Sequence, residues 1–150
     1  MQRVQKLFEE YKDMVYRLAL SYLGNAEDAQ DIRQEVFLRL LRWNGRIRSS
    51  AERAWLTKVT VNCCKDLLSS RVPTREVEET DAVYFPETFD LKEAVMALPG
   101  DYRVVVFLHY YEDYSTREIA DLLKVSQSVV TTRLHRARQR LKNLLQEETV

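Results

Sequence analysis

Apolar side chains recur every three or four residues along most of this chain, and that spacing commits it to helices. Val4, Leu7, Phe8, Tyr11, Met14, Val15, Leu18 and Tyr22 fall on one helical face. Gly24 ends this run, and Asn25 is a good cap for a second helix with Glu27 and Asp28 in its first turn, where acids suit the macrodipole. The second helix turns Ile32, Val36, Phe37, Leu40 and Leu41 inward and stops near Asn44-Gly45. A third is expected over 51–68, with Trp55, Leu56, Val59, Cys63 and Leu67 on one side. Further on, helices are expected over 91–97 and 101–111, split by Leu98-Pro99-Gly100. Ser115 and Glu118 have the spacing of a capping box, and Ser126 caps a long last helix that runs to about Gln146. Three Gly and three Pro in 150 residues are too few for the turns of a barrel or sandwich. The fold class is therefore all-α.

The helical period fails over 73–90, which holds Pro73, Pro86 and the acidic run Glu76, Glu78, Glu79 and Asp81. Like charges keep such a segment extended, so it reads as a linker between an N-terminal bundle, 1–72, and a C-terminal four-helix module, 91–150. Charge supports the division. The 23 basic and 23 acidic side chains cancel overall. By segment, 1–72 carries 13 basic and 9 acidic residues, 73–114 carries 3 and 10, and 115–150 carries 7 and 4. Two basic ends thus flank an acidic middle. Adjacent Cys63 and Cys64 cannot build a disulfide framework or a four-ligand zinc site. Isolated His109 and His135 offer no ligand spacing, so no metal or cofactor is expected. No apolar run is long enough to span a membrane. With no signal peptide in view, a reducing cytoplasmic setting is expected.

The strongest local signal is 115–141, a short capped helix, a tight turn and a longer arginine-rich helix. This is the layout of a helix-turn-helix. Small Ala120 lets the two helices cross closely, while Ile119, Leu123, Val125, Val130 and Leu134 fix the crossing. Ser126, Gln127, Ser128, Thr131, Thr132, Arg133, Arg136 and Arg138 are the residues expected to meet DNA in its major groove. No acid occurs over 123–145, which sets this face apart from an ordinary solvated helix of mixed charge. A second group, Asp28, Asp31, Gln34 and Glu35, shares one face of the second helix. On periodicity alone that face is either solvated or an interface. A third group, Thr57, Lys58, Asn62 and Lys65, forms a polar, weakly basic face on the third helix.

At these residues the chain resembles the extracytoplasmic-function sigma factors of the sigma-70 family. The likeness rests on Asp28-Ala29-x-Asp31-Ile32-x-Gln34-Glu35-Val36-Phe37, Ala54-Trp55-Leu56 with Asn62 and Asp66, and Leu98-Pro99-x-x-Tyr102-Arg103. It continues through Tyr110-Tyr111-Glu112, Glu118-Ile119-Ala120 and Val130-x-x-Arg133-Leu134-His135-Arg136-Ala137-Arg138. The resemblance implies a non-enzymatic initiation subunit whose partners are core RNA polymerase, promoter DNA and an anti-sigma factor. It implies that Asp28, Asp31, Gln34, Glu35, Phe37 and Leu38 dock on the polymerase. Arg46, Arg48, Ser49, Thr57, Lys58, Asn62 and Lys65 would recognise and help open the −10 element, and the helix after Ser126 would read the −35 element. The acidic linker would follow the polymerase's RNA-exit path. Three departures are visible: Lys124 stands where a turn glycine is common, at a cost of roughly 1 kcal/mol if left-handed, Thr131 stands where a basic residue is common, and the basic cluster common after the third helix is reduced to Ser69-Ser70-Arg71. Two other readings compete. A stand-alone helix-turn-helix regulator has no use for the 28–37 motif, and a nuclease holding Mg²⁺ on Asp28, Asp31 and Glu35 has no candidate base.

Overall fold

The computed structural model describes residues 2–43, 47–71 and 91–146; among them every regular element is helical, with no strand. The helices form two compact units. The linker expected over 73–90 lies outside the described residues, as does Arg46.

In the first unit α1 (Gln2–Leu23) packs on both α2 (Ala26–Trp43) and α3 (Glu52–Arg71). Its core is built from Leu7, Val15 and Leu18 of α1, Ile32, Val36 and Leu40 of α2, and Leu56 and Val61 of α3. Gly24, at φ 72°, makes the sharp corner between α1 and α2, where its N–H reaches back to the Leu20 carbonyl. Asn25 then caps α2 through its side-chain oxygen, which accepts from the Asp28 N–H at 3.1 Å.

Helix α3 ends three residues later than the spacing predicts. Its buried set includes Thr57, Thr60, Cys63 and Cys64, so it does not divide into a clean apolar and a clean polar side. The threonines can be buried because each hydroxyl is satisfied by its own helix: Thr57 donates to the Arg53 carbonyl at 2.8 Å and Thr60 to the Leu56 carbonyl at 2.6 Å. Burial pushes the Cys64 thiol up to about 12 and raises Cys63 as well, which marks both as core residues rather than reactive thiols.

In the second unit α7 (Gln127–Gln146) is the spine on which α4 (Leu91–Met96), α5 (Gly100–Val106) and α6 (Thr116–Leu123) pack. Ala94 of α4 meets Leu144 of α7, flanked by Leu141 and Leu145. Arg103 is buried and gives its guanidinium to the carbonyls of Met96 (3.2 Å) and Leu98 (2.8 Å), satisfying the end of α4 from α5. The helix expected over 101–111 is not α-helical throughout. Phe107–Tyr111 forms a π-turn, with the Glu112 N–H reaching the Phe107 carbonyl at 3.2 Å. Asp113, at φ 59°, then redirects the chain toward α6.

Candidate nucleic-acid interface

The turn between α6 and α7 begins with the capping box read from sequence. Glu118 N–H donates to Ser115 Oγ at 3.1 Å, and Ser115 N–H donates to Glu118 Oε1 at 3.0 Å. The second of these bonds holds the Glu118 carboxyl below its ordinary range. Lys124 takes the left-handed conformation, φ 57° and ψ 46°, that the departure from glycine raised. The adjacent N–H of Val125 bonds the Ala120 carbonyl, closing α6. Ile119, Leu123, Val130 and Leu134 are buried at the crossing, with Ala120 between the helices. Ser126 then caps α7 by accepting from the Val129 N–H at 3.3 Å.

This local folding decides which α7 side chains face outward. Gln127, Ser128, Thr131, Thr132 and Arg136 are exposed, and Arg133 is half-buried. Ser128, Thr132, Arg133 and Arg136 line one open groove of about 380 Å³ with Asp101 and Tyr102 of α5. Arg138 lies away from these. Its guanidinium sits 5.5 Å from the Tyr110 ring and bonds the Tyr110 hydroxyl, on the apolar side lined by Leu91, Val95, Val106, Tyr111 and Leu141. The π-turn aims Tyr110 there. Composition carries no sign of that turn, so Arg138 could not be separated from Arg136 by sequence.

On α2 the residues grouped by sequence divide. Asp31 and Gln34 are exposed, and Leu38 keeps 42% of its surface. Glu35 pairs with Arg39 at 3.1 Å. Asp28 receives a bidentate guanidinium from Arg71, at 2.5 and 2.8 Å, which holds its carboxyl below the ordinary carboxylate range. That pairing was not legible because it needs the last turn of α3. Phe37 is a correction. It is buried, its ring edge-on to Phe8 at 5.0 Å, so it packs the core and presents no docking surface.

Thr57 is a second correction, since its side chain is fully buried in α3 and cannot join a polar face. Lys58 is exposed, and Asn62 and Lys65 are partly so. The loop ahead of α3 is anchored by buried Ile47, whose carbonyl accepts from Arg3, itself 3.6 Å from Glu52. This leaves Arg48 and Ser49 exposed. Trp43 and Trp55 stack at a tilt 6.4 Å apart beside Arg39 and Arg42, a pair not singled out from sequence.

Two family models match the chain. Sigma-70 region 2 matches residues 7–73, and Sigma-70, region 4 matches residues 88–141. The chain is 32% identical to the ECF RNA polymerase sigma factor SigL of Mycobacterium tuberculosis, over 96% of this chain and 89% of that one. It is 31% identical to the ECF RNA polymerase sigma factor SigE of Mycolicibacterium smegmatis, covering 93% of this chain but only 60% of the relative's length. In fold it resembles the sigma factor RpoE of Bartonella quintana, solved with the anti-sigma factor NepR, at a TM-score of 0.70 and 20% identity over 96% of this chain and 97% of that one.

Proposed function

The chain belongs to the extracytoplasmic-function RNA polymerase sigma factors, and from that premise we propose that it docks on core RNA polymerase through α2 and brings the enzyme to a promoter with two elements. Asp31, Gln34, Glu35 and Leu38 form the docking stripe, an acidic start leading to an apolar end. Arg48, Ser49, Lys58, Asn62 and Lys65 meet the −10 element, whose bases must leave the stack at a cost of a few kcal/mol. The outward side of α7 enters the major groove at the −35 element, with Arg136 on a phosphate. Such work needs no catalytic group. It places the protein in the cytoplasm with the genome, and it leaves room for an anti-sigma protein as the restraining partner.

The observation that carries this reading is the acid-free, exposed side of α7, held at a fixed angle by α6 across the Lys124 turn. Sequence-independent affinity for DNA comes from such clustered cations. The rival nuclease is disfavoured, because Arg71 already occupies the Asp28 carboxylate. A stand-alone regulator has no use for a region 2 unit.

Run-off transcription with core enzyme tests the proposal. Adding the protein should create new start sites on a promoter library. Asp31→Ala with Glu35→Ala should abolish them while leaving the far-ultraviolet spectrum helical. Arg136→Ala should lower the salt slope of binding by ~1. Start sites that are the same with and without the protein would refute the reading.

A further inference from the structure

Two hydrogen bonds at the start of α7 limit what that helix can offer a base pair. Gln127 Nε2 lies 2.9 Å from Thr116 Oγ1, joining the first residue of α7 to the first residue of α6. A hydroxyl both donates and accepts, so this tether holds with either end of the amide turned inward. One turn on, Thr131 Oγ1 donates to the Gln127 carbonyl at 2.9 Å. Its proton is therefore committed within its own helix, and the γ-methyl is left as its outer surface. Neighbouring hydroxyls are also engaged: Ser126 and Ser128 meet at 3.0 Å, and Ser126 accepts from the Val129 N–H. Of these exposed side chains, Gln127 presents an amide held in place and Thr131 a methyl group.

We infer that Gln127 and Thr131 set the base preference of α7, and that Thr116 is a positioning residue acting through Gln127. This rests on the reading of α7 as the helix that enters the major groove. There, an amide offering one N–H and one carbonyl oxygen matches the acceptor and donor edge of adenine, and a threonine methyl packs on the methyl of thymine. The arginines of the same helix contribute charge, which positions the protein on phosphates without reading sequence. The pair facing residues 127–131 is accordingly A·T, with adenine selected by the amide and thymine by the methyl.

The experiment is selection of duplexes, randomised over the upstream promoter element, by the full-length protein with core polymerase. Thr131→Ser keeps the internal hydroxyl bond and removes the methyl, and it should lose about tenfold in preference for thymine. Thr131→Val keeps a methyl without the hydroxyl and should retain that preference. Thr116→Val should flatten the choice of adenine about as much, Thr116→Ser should restore it, and the salt slope should stay the same in both. The opposite pattern at 131, or a Thr116→Val selection identical to the parent's, overturns the inference. A parent protein that selects no element at all overturns the reading of α7 as well.

Discussion

Lys124 holds a backbone conformation that only glycine adopts without steric cost. Replacing it by glycine should raise stability by about 1 kcal/mol, less the greater freedom glycine has when unfolded. Thermal unfolding measures this, and a lower midpoint would mean that the left-handed turn is not held in solution. Asp28 carries a pH dependence. Arg71 lowers its carboxyl below the unfolded value, so the stability it contributes is complete above about pH 4 and is lost as pH falls through the lower folded value. Asp28→Asn should therefore lose less stability than the parent between about pH 5 and pH 3 in urea titrations. Equal losses would show that the ion pair is not formed.

Among the elements, α6 carries a complete capping box, and its eight residues are too few to hold a helix without outside support. Ser115→Ala should cost about 1 kcal/mol and show first as faster amide exchange at the start of α6. Unchanged exchange there would discount the cap. This element was legible in the sequence down to the partner of each capping atom, because a capping box is a local pattern. So were the lengths of α1, α2 and α7, whose apolar spacing is regular. Helix α3 was less legible. Threonine can bond its own backbone and go inside, as Thr57 does, so its polarity misplaced the face. The partners of Asp28 and Arg138 were illegible for a related reason: Arg71 and Tyr110 lie 43 and 28 residues away.

At the scale of the whole molecule, each unit has its own buried core, and in the second α4, α5 and α6 all pack on α7. A fragment of residues 91–150 should therefore give a helical circular dichroism spectrum and a single cooperative melt; a random-coil spectrum would count against an autonomous unit. The turn at Phe107–Tyr111 bears on how such a unit can change over time. It spends one residue more than an ordinary helical turn, so deleting a residue ahead of Tyr110 would restore regular winding and move each later side chain of the turn one place along it. Tyr110 would swing off Arg138, and the path into α6 would miss its seat. Side chains in this stretch can be exchanged for others of similar shape, whereas its length is fixed, and drift among descendants of this sequence should respect the count before it respects the letters.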